Sequence, residues 1–281
     1  MKTKHLRLMQ RAYVILFFCF MYLPIAYMVV FSFNQSKGYA LFTGFTFKWY
    51  TSLLHNESIL HALWVSLYLA LFSAVIATVL GTAASLGIAS MGRKSRLLVT
   101  NITYITTVNP EIITGISLMM LFVAYQRFAS ELDFLPDNIM GFPTLLIAHI
   151  TFNIPYVILS VGPKLRQMDR NLVDAAQDLG CTWMQAFWKV IIPEIKPGIV
   201  SGALTAFTMS IDDFIISYFT AGTSSSTLAM TIYGMTKKRV SPEINALTAI
   251  IFVVVLALLL LSNYYSARKE KQMMRKEEPA A

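Results

Sequence analysis

The segment that decides the fold reads Asp174-Ala175-Ala176-Gln177-Asp178-Leu179-Gly180 and, after nine further residues, Val190-Ile191-Ile192-Pro193. It lies between two long apolar stretches and is itself polar and rich in helix-forming residues. A loop that only joins two membrane spans needs no regular segment of this length. A loop that a soluble partner must move does need one. The segment therefore predicts a docking surface on a membrane protein.

The composition places the chain in a membrane. Of its 281 residues, 56% are hydrophobic and only 14% are charged, whereas soluble domains average about 25% charged residues. About 20 helical residues cross the hydrocarbon layer, and the sequence lacks the long alternation of a membrane β-barrel. We expect one all-α integral membrane domain over residues 1–281, with six spans near residues 13–33, 63–90, 99–125, 142–162, 198–220 and 246–265.

The first span resembles a signal peptide in one respect, because Lys2, Lys4, Arg7 and Arg11 precede its apolar run. The apolar core of a signal peptide has about 7–15 residues and ends at a cleavage site between small residues. This run is longer, and no clear site of that kind follows it. We therefore expect it to be retained as a membrane span.

The distribution of Lys and Arg predicts the orientation, because cytoplasmic loops collect these residues. With the N-terminus inside, 17 of the 23 Lys and Arg residues fall on the cytoplasmic side. We expect a multi-pass protein of the cytoplasmic (inner) membrane with both termini in the cytoplasm. The cytoplasmic coupling loop then covers residues 163–197, and the extracytoplasmic loops cover 34–62, 126–141 and 221–245. The net charge of +8 follows from this topology, and we expect no nucleic-acid partner.

The sequence gives no indication of enzymatic chemistry. Cys19 lies in the first span and Cys181 in the coupling loop, so a disulfide between them is not expected. The four histidines lack metal-ligand spacing, and no Gly-rich phosphate loop is found. We predict no catalytic residue, no metal site and no cofactor. ATP would have to be bound by a partner subunit.

The coupling loop predicts two short helices. Asn171 can cap the first, with an acid three residues further on as an incomplete capping box. Gly180 suits the left-handed residue after its end. The second helix is expected over residues 182–191, and Pro193 and Pro197 are expected to bound the next span. This second helix could instead rest on lipid, whereas the two alanines of the first suit a groove in a protein.

The spacing in this loop resembles a family signature. Permeases of binding-protein-dependent ABC importers carry Glu-Ala-Ala, three residues, Gly, nine residues and Ile-x-Leu-Pro. This chain has the same spacing at Asp174, Ala175, Ala176, Gly180 and Pro193, with Asp in place of the usual Glu. The resemblance implies the type I ABC importer permease fold, with these residues on its coupling helix. It also implies a separate pair of ABC ATPase subunits that receives this helix in a groove.

Other segments resemble the spermidine/putrescine permeases, and most of all the second of their two permease subunits. They are Phe33-Asn34-Gln35-Ser36, Lys48-Trp49-Tyr50, Asn109-Pro110-Glu111, Ser210-Ile211-Asp212-Asp213 and Ser241-Pro242-Glu243-Ile244-Asn245-Ala246-Leu247. This resemblance implies translocation of polyamines by alternating access. It also implies a homologous second permease subunit and an extracytoplasmic polyamine-binding protein. Trp49 and Tyr50 are additionally typical of anchors at the membrane interface.

Three acids inside apolar spans indicate the cargo. A charge at the centre of a span costs roughly 2.5–3.5 kcal/mol, so such residues usually face a cavity or a partner. Glu111 and Asp212 are predicted at similar heights in two spans that both run outward, and Asp213 follows directly. The rings of Phe214 and Tyr218 could cover the methylenes of a polycation whose ammonium groups these acids hold. We assign these five residues to the substrate pathway.

Each acid also has a structural interpretation. Asp212 or Asp213 could bond to the partner permease or cap a broken helix, and Glu111 could be a protonated acid of the core. At the level of function, the same acids could serve a proton-coupled secondary transporter of small cations, which would leave the coupling loop unexplained. An ABC permease for another solute, such as iron or an amino acid, is the third possibility.

Overall fold

The computed structural model describes residues 2–36, 41–130, 140–169, 171–238, 242–253 and 256. Across these residues the fold is helical, and the only pairing of extended backbone is one isolated bridge between Asn34 and Phe45. The helices are α1 (Lys2–Phe31), α2 (Lys48–Leu54), α3 (Glu57–Ser90), α4 (Arg93–Val108), α5 (Glu111–Ser130), α6 (Phe142–Gln167), α7 (Asn171–Asp178), α8 (Trp183–Ala186), a π-helix (Phe187–Ile191), α9 (Ile192–Asp212), α10 (Ile215–Thr220), α11 (Leu228–Lys238) and α12 (Pro242–Val253).

Five helical stretches in the described residues are long and apolar enough to cross a membrane. They are Met9–Phe31, Glu57–Ser90, Glu111–Ser130, Phe142–Gln167 and Trp183–Asp212. Many of their large apolar side chains point outward, as expected where the surrounding solvent is lipid. Helix α12 covers the beginning of the predicted sixth span, and most of residues 246–265 lies outside the described residues.

The third predicted span, residues 99–125, is wrong as a single helix. Helix α4 ends at Val108, and α5 begins at Glu111. Pro110 lacks a backbone N–H, and its ring disfavours helical backbone at the residue before it. Asn109 accordingly has extended backbone, with φ −63° and ψ 133°. The proline therefore interrupts the helix.

The fifth predicted span, residues 198–220, differs from the observed helix at both ends. Its helix is continuous from Trp183 to Asp212, so the two prolines do not separate it from the preceding amphipathic helix. The π-helix lies directly before Pro193, and the N–H of Ile192 bonds the carbonyl of Phe187, five residues back. This wider turn accommodates the proline, which has no N–H and would crowd the carbonyl of Lys189 in an α-helix. At the other end, Asp213 is extended with ψ 125°, and α10 starts only at Ile215.

Residues 58–233 form one compact unit of the chain. Its core lies where α6 packs against α9, with Val157, Val161 and Ile195 fully buried. The contact depends on glycines that let the two backbones approach, as is common between membrane helices. A Cβ on Gly198 would lie 2.9 Å from the carbonyl oxygen of Ser160, and one on Gly202 would lie 3.2 Å from the Cα of Val157.

Residues 1–57 and 234–281 form the other unit, whose described loop is organised by Asn34. The Asn34 side chain donates to the carbonyl of Leu41 at 3.0 Å and accepts from the N–H of Thr43 at 2.8 Å. The indole of Trp49 donates to the Asn34 carbonyl at 2.7 Å, and Trp49 is only 5% exposed. Trp49 is therefore a core residue of this unit, which corrects its interpretation as an interface anchor.

Candidate functional site

The coupling helix predicted from the loop forms as α7, and no described residue of it is buried in the single chain. The helix begins slightly earlier than predicted. Asn171, which we had expected to be its cap, is already helical, and its N–H donates to a carboxylate oxygen of Asp169 at 3.0 Å. Asp174 lies in the first turn, where the helix dipole favours a negative charge. Ala175 is exposed and available to a partner, and Ala176 is half-buried.

Gly180 ends the coupling helix in the predicted left-handed conformation, with φ +86°. The N–H of Cys181 bonds the carbonyl of Ala176 at 3.0 Å, and that of Gly180 bonds the carbonyl of Gln177 at 2.8 Å. These two bonds form a Schellman motif, which satisfies carbonyls that a helix end otherwise leaves free. Only glycine adopts this backbone readily, so the turn after α7 is fixed by the residue type.

The next helix starts at a capping box that we had not predicted. The N–H of Thr182 donates to the Gln185 side chain at 3.0 Å, and the N–H of Gln185 donates to the Thr182 hydroxyl at 3.4 Å. The pattern of Thr followed three residues later by Gln was available in the sequence as a signal. From there a continuous helix of 30 residues, containing Pro193, runs to Asp212. At about 1.5 Å per residue it extends roughly 45 Å from the turn after α7 to Asp212.

The predicted pathway residues gather at two interruptions of the helices. Glu111 opens α5 after the break at Pro110, and Asp212 closes α9 before the break at Asp213. Glu111 lies within electrostatic range of Asp213 and Asp212. Glu111 and Asp212 are both exposed in the single chain, so their carboxylates are available to a ligand or a partner.

Asp213 differs from the other two acids because its carboxylate is occupied inside the protein. One carboxylate oxygen accepts the N–H of Ile216 at 3.2 Å. The other accepts the N–H and the hydroxyl of Ser217, both at 2.8 Å. These bonds cap α10 after the break. This agrees with the alternative interpretation of Asp213, in which it caps a broken helix. Its assignment to the substrate pathway stays a prediction.

A buried histidine completes the contacts of Asp213. The Nε2 atom of His149 lies 3.0 Å from the Ser217 hydroxyl and 3.5 Å from an Asp213 carboxylate oxygen, and the His149 side chain is fully buried. One turn further along α6, the Asn153 amide donates to Ser210 at 2.7 Å, and Ser210 also bonds Ser73 on α3 at 2.9 Å. The network thus fixes the break against α3 and α6.

The aromatic part of the predicted site also assembles beside the break. The Phe214 ring lies 5.5 Å from the Tyr218 ring and 4.3 Å from the Tyr233 ring, measured between centroids. Tyr218 is 55% exposed. Tyr233, which was not among the predicted site residues, belongs to α11, in the segment that we had assigned to a loop. The sequence around Tyr233 alone gives no signal for this contact.

A polar stripe on α9 extends from the site toward the coupling loop. Ser201, Thr208 and Asp212 are exposed, and Thr205 is half-buried. These side chains face away from the helices of their own chain. Thr205 and Thr208 donate to the carbonyls of Ser201 and Leu204 on the same helix, at 3.0 and 2.9 Å, so their hydroxyls are satisfied there. The carboxylate of Asp212 is costly to place in lipid, which indicates that another protein or an aqueous path is expected to cover this end of the stripe.

Comparison with known proteins identifies the family. A model of the family "Binding-protein-dependent transport system inner membrane component" matches residues 77–273. The chain is 38% identical to the putrescine transport system permease protein PotI of Escherichia coli (strain K12), over 85% of this chain and 83% of that protein. It is 34% identical to the spermidine/putrescine transport system permease protein PotC of the same strain, over 88% of this chain and 89% of that protein.

Solved structures support the fold. A bacterial ABC transporter involved in alginate import matches with a TM-score of 0.67 at 14% identity, covering 94% of this chain and 96% of that chain. A bacterial alginate ABC transporter in complex with a periplasmic protein matches with a TM-score of 0.70 at 19% identity, covering 95% of both chains. These matches confirm the predicted all-α importer permease fold. The chain belongs to the family of binding-protein-dependent transport system inner membrane components and is a multi-pass permease of an ABC importer.

Proposed function

We propose that this permease conducts polyamines, namely putrescine and spermidine. The relatives that it resembles over most of its length are named for these cargoes. The observation that carries the proposal is the meeting of two helix breaks, each with an exposed acid. Glu111 and Asp212 would each hold an ammonium group of the cargo in turn as it passes.

The chemistry around the breaks suits a chain of separated positive charges. Helix α4 ends at Val108 and α9 ends at Asp212, and the free carbonyls at a helix end carry partial negative charge. The rings of Phe214 and Tyr218 lie beside the acids and would cover the methylenes between the ammonium groups. Asp213 would act by positioning, because it holds α10 and with it these rings.

The ATP-driven step would enter through the coupling loop. In this proposal a pair of ABC ATPase subunits receives α7 at Asp174, Ala175 and Ala176, and ATP is bound there and not by this chain. Movement of α7 would be passed through the turn at Gly180 into the helix that contains Pro193. Because that helix is continuous to Asp212, a tilt at the coupling end would displace the acid at the other end.

The remaining partners follow from the topology that we propose. The termini and the coupling loop lie in the cytoplasm, where most Lys and Arg residues collect. A homologous second permease subunit faces the polar stripe on α9 and supplies the other wall of the path. An extracytoplasmic polyamine-binding protein delivers the cargo to the opposite face.

The experiment is uptake of labelled spermidine and putrescine by cells that depend on this permease and its partner subunits. The double variant Glu111→Gln and Asp212→Asn should lose at least tenfold in uptake, because two charge-assisted contacts at about 1.5–3 kcal/mol each are removed. Glu57→Gln is the matched control, since Glu57 is an exposed acid at the start of α3.

Three outcomes separate the proposal from its alternatives. Loss in the double variant with normal uptake in Glu57→Gln supports it. Normal uptake in the double variant, at equal protein levels in the membrane, contradicts the pathway assignment. Failure of an excess of unlabelled putrescine and spermidine to compete with each other would contradict the polyamine cargo itself.

A further inference from the structure

A groove of about 600 Å³ opens at the end of the helices from which the coupling loop emerges. It lies between the end of α3, the start of α4, the end of α6 and the segment formed by α8 and the π-helix. Most of its wall is apolar and includes Leu86, Ala89, Leu165, Phe187 and Ile191. Its volume is within the range of about 300–1,000 Å³ typical of ligand sites.

One cationic side chain lines this groove, that of Arg96. Arg96 is half-buried, and it also lines an adjoining cleft that contains Arg166. In the described part of the chain no carboxylate forms an ion pair with Arg96. Burial of a charge without a partner is costly. An anion at the mouth of the groove would remove that cost.

The form of the groove indicates which anion fits. A free phosphate would satisfy Arg96 but would leave the apolar wall uncovered. A phospholipid has both parts, because its phosphate suits the guanidinium fork and its acyl chain suits the wall. Arg93 and Lys94 are exposed at the same helix start, and basic clefts between membrane helices commonly bind anionic headgroups.

The location agrees with a lipid at the membrane interface. Trp183 lines the groove and is 60% exposed, and Trp188 nearby is 62% exposed. Exposed tryptophans concentrate where headgroups meet acyl chains. We propose that the Arg96 groove binds one anionic phospholipid, with its phosphate on Arg96 and an acyl chain along Leu86 and Phe187. This site is separate from the substrate pathway and from the exposed surface of α7.

Native mass spectrometry of the purified importer with phosphatidylglycerol or phosphatidylcholine tests the site. Wild-type protein should retain one phosphatidylglycerol more tightly than any phosphatidylcholine. Arg96→Gln should weaken that binding by at least about tenfold, the value of a charge-assisted contact. Lys94→Gln removes the same charge two residues away but outside the groove lining, so it should weaken the binding far less, by no more than about twofold. Equal losses in both variants would mean general attraction to the interface and would overturn the proposal.

A second measurement places the lipid in the groove. Phosphatidylglycerol with a brominated acyl chain should quench tryptophan fluorescence in wild-type protein more strongly than brominated phosphatidylcholine does. Trp183→Phe should remove most of this difference in quenching. Arg96→Gln should reduce the quenching to the level seen with brominated phosphatidylcholine. Equal quenching by the two lipids in the wild type overturns the proposal. So does an Ala89→Cys variant that cross-links to a partner subunit, because the groove would then hold protein.

Discussion

At the residue scale, the three acids of the site have different roles. Glu111 and Asp212 are exposed and face a surface that is open in the single chain. Asp213 accepts three hydrogen bonds from the first turn of α10 and lies 3.5 Å from Nε2 of His149. We therefore propose that Asp212 binds the cargo, whereas the contacts of its neighbour Asp213 support the break. The different surroundings of each acid give different expectations for its substitution.

Asp213→Asn should lower the free energy of unfolding by about 1–3 kcal/mol, because an amide group cannot accept all the N–H and O–H bonds that the carboxylate accepts. Asp212→Asn, at the exposed neighbour, should change it by less than about 0.5 kcal/mol. Thermal unfolding of the purified permease measures both. Equal melting temperatures for the two variants would contradict the division of roles.

At the element scale, the proposed pathway depends on the helix interruptions between α4 and α5 and between α9 and α10. The break at Asp213 is harder to predict than the break at Pro110, for a physical reason. Pro110 acts through local backbone geometry, so a disturbance of the helix at that point can be expected from the sequence alone. The break at Asp213 has no proline or glycine. It depends on His149 of α6, which is distant in the sequence, and on Ser217. Contacts of that kind cannot be read from local spacing.

The coupling helix was predicted most closely, because its determinants are local. Gly180 and the alanines before it specify a short helix and its end through backbone preferences alone. The continuity of the next helix past Pro193 was missed. A π-turn compensates for the proline there, and the sequence pattern does not distinguish that solution from a helix end.

The packing of α6 against α9 makes a further prediction at this scale. Gly198→Ala should destabilise the permease by about 1–3 kcal/mol, because the new methyl group would lie 2.9 Å from a backbone carbonyl oxygen. Gly162→Ala on α6 is the control, since its methyl group would meet no atom within 4 Å. The two variants are compared by their unfolding midpoints in the same detergent. A Gly198→Ala protein as stable as Gly162→Ala would refute the close contact.

At the scale of the whole molecule, the chain is the permease component of an ABC importer. Its coupling helix is exposed, and its polar stripe faces away from its own helices. Both surfaces are expected to be covered by other subunits. The two ends of this arrangement are joined by the continuous helix from Trp183 to Asp212.

Cross-linking tests the coupling surface. In a background without Cys19 and Cys181, Ala175→Cys should form a disulfide with a cysteine placed in the groove of the ATPase subunit. The yield should change with the bound nucleotide, because in our proposal the coupling helix moves with the ATPase. Leu204→Cys, which is exposed in the middle of a span, should give no product. No Ala175→Cys product in any nucleotide state would argue against docking through α7.

The central claim is that ATP drives polyamines past Glu111 and Asp212. Its most direct test is uptake of labelled spermidine into proteoliposomes that contain the complete importer and its binding protein. We predict uptake that requires ATP on the coupling-loop side, withstands a protonophore, and is lost in the double variant Glu111→Gln and Asp212→Asn. Uptake that continues without ATP and collapses with the protonophore would contradict the account and identify a proton-coupled transporter.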